Sequence, residues 1–192
     1  MNYTHLTRIL SAEFPKLKID ETTQDLDKIG MILINGKPMA IEEFLAMKNP
    51  KVNGDLDLMD NEEIYSLPEG LEVGGSLWLD YTPITSLPEG LRVRGDLNLA
   101  DTNITSLPDD LKVGVSLNLN RTKITSLPKG LKVGGSLLLS GTNITSLPEG
   151  LEVGEHLNLR GTNITSLPED LKVGGIIFVD NPSKIKCSDE LR

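Results

Sequence analysis

Aromatic residues are scarce in this sequence, which has one tryptophan, three tyrosines and three phenylalanines, and none between Tyr81 and Phe178. A core without rings has to be aliphatic, and so long a ring-free stretch points to a mould that accepts one side-chain size repeatedly. Cys187 is the single cysteine, which excludes an intrachain disulfide and a cysteine-based zinc site. No apolar run approaches the roughly eighteen residues of a membrane-spanning helix. The start, Met1-Asn2-Tyr3-Thr4-His5-Leu6, lacks a basic stretch followed by an apolar one, so a soluble, cytoplasmic chain is expected. Positive charge is also short. A formal net charge of −9 disfavours nucleic acid and anionic membranes, both of which attract basic surfaces. The deficit lies in residues 51–192, with thirteen Lys/Arg against twenty-one Asp/Glu, whereas residues 1–50 carry six against seven. Two differently built parts are expected.

What the sequence does have is a repeat. Ser-Leu-Pro recurs at 66–68, 86–88, 106–108, 126–128, 146–148 and 166–168, always twenty residues apart. Within each unit the apolar positions barely change: Leu117, Leu119, Ile124, Leu127, Leu131 and Val133 in one copy, Leu137, Leu139, Ile144, Leu147, Leu151 and Val153 in the next. Ser116-Leu-Asn-Leu-Asn120 alternates polar and apolar with the period of a strand that has one buried face. Such strands are too short to stand alone, and stacking them would join the leucine columns into one core. Ring-sized side chains would clash between near-identical neighbours, which accounts for their absence.

The pattern Leu77-x-Leu79-x-x-Thr82-x-Ile84, repeated at Leu97 to Ile104, Leu117 to Ile124, Leu137 to Ile144 and Leu157 to Ile164, resembles the leucine-rich-repeat family, with threonine where that family usually has asparagine. The twenty-residue length and the Leu-Pro pair are distantly similar to short bacterial repeats, including those of type III secreted effectors. The resemblance implies an α/β fold class: a right-handed leucine-rich-repeat solenoid, with a parallel β-sheet on the concave face, an extended or 3-10 convex side and a small α+β N-terminal cap. It also makes secretion as an effector the alternative to a cytoplasmic location, and bacteria or phage the expected source. The Thr82, Thr102, Thr122, Thr142 and Thr162 hydroxyls are expected to bond backbone groups of adjacent turns.

Three regions follow. Residues 1–50 are expected to cap the first turn, with an amphipathic helix around His5–Leu10, a hairpin turning at Asn35-Gly36 and a helix through Ile41–Leu45. Residues 51–181 form the solenoid of six repeats. Residues 182–192 form a C-terminal cap or tail over Ile176-Ile177-Phe178-Val179, a strand apolar on both faces that is alternatively an edge for self-association.

Repeats diversify where side chains are free, so the outward strand positions are the candidate binding surface. The partner-binding candidates are Trp78, Asp80, Tyr81, Asp96, Asn98, Asp101, Asn118, Asn120, Arg121, His156, Asn158, Arg160 and Phe178. Trp78 and Tyr81 are the expected hot spots, beside Asp80 and Asp101, and a protein partner with a basic patch would suit them. No catalytic residue, cofactor or metal is expected. Cys187-Ser188-Asp189 resembles the Cys-x-Asp motif of effector ubiquitin ligases, but only three residues follow it. The expected function is non-enzymatic protein binding on an acidic concave face. The alternatives are a substrate adaptor related to secreted effectors and a structural component of a larger assembly.

Overall fold

The computed structural model describes residues 31–185. The expected helix near His5–Leu10 and the tail beyond Ile185 lie outside these residues. The chain begins with an antiparallel hairpin, β1 (Met31–Ile34) and β2 (Lys37–Ala40), followed by α1 (Ile41–Leu45). The hairpin turns on Asn35 and Gly36, at φ 53° and 76°. These left-handed values suit an Asn-Gly pair and match the twist of the flanking strands.

From Lys51 onward the chain winds through stacked turns of about twenty residues, each contributing a strand to two seven-stranded parallel sheets. One sheet holds the Leu-x-Leu strands β4 (Leu56–Asp57), β6 (Leu77–Trp78), β8 (Leu97–Asn98), β10 (Leu117–Asn118), β12 (Leu137–Leu138), β14 (Leu157–Asn158) and β16 (Ile177–Phe178). The other holds β3 (Lys51–Val52), β5 (Glu72–Val73), β7 (Arg92–Val93), β9 (Lys112–Val113), β11 (Lys132–Val133), β13 (Glu152–Val153) and β15 (Lys172–Val173). Register is strict: Leu117 sits opposite Leu97 and Leu137, and Val133 opposite Val113 and Val153. The result is a parallel β-solenoid of about six turns. The α/β expectation does not hold among the described residues, where the only helical pieces are α1 and a 3-10 turn at Pro182–Lys184. A twenty-residue turn that makes two strands and three corners has no length left for a helix.

Local chemistry sets the corners. In the Pro-x-Gly corner the Leu131 N–H donates to the Pro128 carbonyl at 3.3 Å, and Gly130 has φ 69°. Two turns have aspartate in place of this glycine. There Asp110 accepts from the Gly90 N–H at 2.9 Å, and Asp170 from the Gly150 N–H at 2.7 Å. At the corner between the two sheets the backbones nearly touch. A Cβ on Gly134 would overlap the Gly114 carbonyl oxygen, and one on Gly154 the Gly134 oxygen.

The core is a run of aliphatic columns from Val52 to Ile164, closed at the start by Ile32, Ile34, Ile41 and Phe44 of the hairpin and helix. Phe44 is fully buried. The terminal unit breaks periodicity, so a ring can be accommodated there. The buried threonines differ from expectation. Each hydroxyl donates to a carbonyl of its own turn, three residues back, as in Thr122 to Leu119 at 2.8 Å and Thr82 to Leu79 at 2.6 Å. The same carbonyl takes the threonine N–H, at 3.2 Å in both cases. The hydroxyl is short enough to fold back onto its own corner, so it needs nothing from the neighbouring turn. Asn61 holds this position in the first turn, and its Nδ2 is buried without a hydrogen-bond partner among the described residues.

Candidate functional site

The outward candidates sort into four columns along the Leu-x-Leu sheet. The first lies just before each strand and is a hydrogen-bonded ladder. Asp55 accepts from the Ser76 N–H (2.7 Å), Ser76 from Asp96 (3.0 Å), Asp96 from Ser116 (2.8 Å), Ser116 from Ser136 (3.1 Å), Ser136 from His156 (3.3 Å) and His156 Nδ1 from Ile176 (3.0 Å). Each side chain thus holds the backbone of the next turn. The ladder stops at Ile176, which has no acceptor. Two of the binding candidates, Asp96 and His156, are therefore engaged in stacking. Asp55, Ser76, Ser116 and Ser136, which were not among the candidates, belong with them. Aspartate, serine and histidine look unrelated as residue types, and the feature they share is an acceptor at short reach.

The second column is the centre of each Leu-x-Leu: Asp57, Trp78, Asn98, Asn118, Leu138, Asn158 and Phe178. The polar members fold back on their own strand. Asn98, Asn118 and Asn158 accept from the N–H two residues on, at 3.2, 3.1 and 3.1 Å. Trp78, Leu138 and Phe178 cannot do this and present half-buried apolar surface instead. Phe178 is shielded, with the His156 ring edge-on at 5.8 Å and the Arg160 guanidinium 5.3 Å from its centre. These three candidates form one cluster at the C-terminal end, away from Trp78.

The third column, just after the strands, begins with the exposed Met59 and continues with Asp80. This side chain is almost fully buried and accepts from Asn98 Nδ2 at 2.9 Å. Burial pushes its carboxyl above the ordinary range, and the nearby Asp60, Asp57 and Asp101 push it further. Asn120, further along, accepts from the Ser140 N–H at 2.8 Å.

The fourth column is the corner residue Asp60, Tyr81, Asp101, Arg121, Gly141 and Gly161, all at φ between 56° and 72°. Glycine fills the left-handed position at no steric cost, whereas a bulky residue there is an outlier. Tyr81 and Arg121 are such outliers, at φ 59° and 56°, and Tyr81 has 57% of its surface exposed. Arg121 and Asp101 form a bidentate ion pair (Nε to Oδ1 2.7 Å, terminal nitrogen to Oδ2 2.5 Å). That pairing holds the Asp101 carboxyl below its ordinary range, with a contribution from the Tyr81 hydroxyl. Asp101 is therefore satisfied within the chain. The carboxylates left at this end are the exposed Asp57, which accepts from the Met59 N–H at 3.1 Å, the exposed Asp60 and the buried Asp80. Asp60, which was not among the candidates, holds in the first turn the place that Tyr81 holds in the second.

Neither the family models nor the curated proteins include a match to this chain. No helix among the described residues is long and apolar enough to cross a membrane, and they contain no group of three or more His, Cys, Asp or Glu that could hold a metal ion.

Proposed function

We propose that this protein is a non-enzymatic binding module, similar in design to leucine-rich repeats, that holds a protein partner at the N-terminal end of the Leu-x-Leu sheet. The observation that carries this reading is Tyr81. A large exposed ring is kept at a left-handed position that the same corner fills with glycine in later turns. Strained residues of this kind persist where they do something. Beside it lie the half-buried Trp78 and the carboxylates of Asp57, Asp60 and Asp80, so the partner surface is one with a cation set in an apolar surround.

The thirteen candidates do not act as one surface. Asp96 and His156 serve stacking, Asn98, Asn118, Asn120 and Asn158 brace the backbone, and Arg121 neutralises Asp101. Phe178 is covered by His156 and Arg160, so Trp78 and Tyr81 remain as the contact residues, joined by the exposed Asp57 and Asp60, while the buried Asp80 adds charge to this end. The test is capture of partners from the native host, followed by binding measurements with Trp78→Ala combined with a charge reversal at the exposed Asp60, Asp60→Lys. Loss of binding with an unchanged fold supports this assignment; undiminished binding overturns it.

A further inference from the structure

The dipeptide Asn-Gly occurs twice in the chain, at Asn35-Gly36 and at Asn53-Gly54. The fold brings the two together at its N-terminal end, where the Asn53 N–H donates to Asn35 Oδ1 at 2.6 Å. Asparagine before glycine carries a latent reaction. The side-chain Cγ is an electrophile one ring closure away from the next backbone nitrogen, and glycine has no β-carbon to obstruct the approach. Whether the ring closes depends on the freedom of two groups, the carboxamide and the N–H that follows it. At Asn35 the carboxamide is held on both sides. Its Nδ2 donates to the Lys51 carbonyl at 3.1 Å while its Oδ1 takes the Asn53 N–H. Turning Cγ toward the Gly36 nitrogen would break both bonds.

At Asn53 both groups are free. Asn53 and Gly54 are exposed, and the Asn53 carboxamide has no hydrogen-bond partner among the described residues. The nitrogen is free because of where this corner lies in the stack. The place of Gly54 is taken in later turns by Gly75, Gly95, Val115, Gly135, Glu155 and Gly175, and each N–H there donates to the carbonyl at the same place one turn before. Gly75 bonds Gly54 at 2.9 Å, Gly95 bonds Gly75 at 2.8 Å, and the series ends with Gly175 on Glu155 at 2.6 Å. Gly54 belongs to the first turn and has no turn before it, so its N–H makes no hydrogen bond among the described residues. The place of Asn53 is held in later turns by Gly74, Arg94, Gly114, Gly134, Gly154 and Gly174. A carboxamide and an unengaged N–H therefore coincide in the first corner and in no later one.

We propose that Asn53 is a modification site, converted spontaneously to aspartate and isoaspartate in the folded protein, while Asn35 is preserved. The Gly54 nitrogen, once its proton has passed to a solvent base, attacks Asn53 Cγ. The N–Cγ bond forms, the Cγ–Nδ2 bond breaks, and Nδ2 leaves as ammonia after taking up a proton. Water then opens the five-membered imide. Addition at Cγ gives aspartate, and addition at the main-chain carbonyl gives isoaspartate, with no oxidant or reductant involved. The isoaspartate form runs the chain through Cβ and Cγ and so inserts a methylene between β3 and β4. That corner has no slack. A β-carbon on Gly74 would overlap the Asn53 carbonyl oxygen, and the Gly54 carbonyl carries the first bond of the series above. Either product also places a new carboxylate two residues before Asp55, at the end of the molecule that is already acidic.

The test is incubation of the full folded chain at neutral and mildly alkaline pH, followed by mass spectrometry of the two Asn-Gly peptides, with the chain unfolded in urea as the reference. In urea both sites should convert at similar rates. In the folded protein Asn53 should stay within several-fold of that rate and quicken as pH rises, because the attacking nitrogen must lose a proton. Asn35 should fall behind Asn53 by about tenfold or more, since two hydrogen bonds must break first. Gly54→Ala enters open space, so the variant should keep the melting temperature and slow conversion at Asn53 several-fold. Asn53 left intact in the folded protein over the time that converts it in urea overturns the proposal. So does Asn35 converting as fast as Asn53, or a Gly54→Ala variant that converts at the natural rate.

Discussion

Asp80 shows at the scale of one residue how the binding end differs from the rest of the solenoid. Its carboxyl is buried beside Asp60, Asp57 and Asp101, and its affinity for a proton is raised above the ordinary range. A folded state that holds a proton more tightly than the unfolded chain is favoured below the ordinary carboxylate value and loses that advantage as pH rises through the raised one. Asp80→Asn should therefore melt at a higher temperature than the natural protein at neutral pH, and the difference should shrink toward acid, as thermal melts across pH would show. Asp101 has the opposite sign. Arg121 lowers its proton affinity, so its contribution is present above the ordinary range and fades as pH falls. Because the pair is largely exposed, the effect on stability is small. Trp78, Asp80 and Tyr81 are neighbours along the chain itself, whereas Asp101 looked equally available because the twenty-residue reach of Arg121 across one turn is a property of the stack, not of the local sequence.

At the scale of the element, the period-two leucines and the fixed twenty-residue spacing made the stacked strands legible, since burial on one face leaves that imprint whatever the neighbours are. The ladder before each strand was not legible, because its requirement is an acceptor rather than a residue type. Ser116→Ala should remove the acceptor for the Ser136 N–H and cost about 0.5–1.5 kcal/mol. Ser116→Asp, copying Asp55 and Asp96, should recover most of it; chemical denaturation measures both. The glycines can be separated in the same way. Gly130→Ala meets open space but a φ of 69°, and should cost about 1 kcal/mol. Gly134→Ala drives a methyl into the Gly114 carbonyl and should cost more, since the corner must open to admit it. Equal losses would contradict the close approach of backbones at that corner.

At the scale of the whole molecule, a stack in which each turn touches only its neighbours depends on how its ends are closed. The first turns are covered by the hairpin and α1, with Phe44 at the centre. Phe44→Ala should cost about 3–5 kcal/mol, and amide exchange should quicken first in the turns nearest residue 52 and last in those near residue 150. The return path, expected to be extended, carries the second strand of each turn and no helix among the described residues. Core and contact surface use different positions of the same turn, so stability and binding can vary separately. Tyr81 tests that separation most directly. Partner binding and melting temperature should be measured together for Tyr81→Gly, which relieves the left-handed backbone as Gly141 and Gly161 do and removes the exposed ring. The account predicts a melting temperature at or above that of the natural protein with partner binding lost. Retained binding would contradict it.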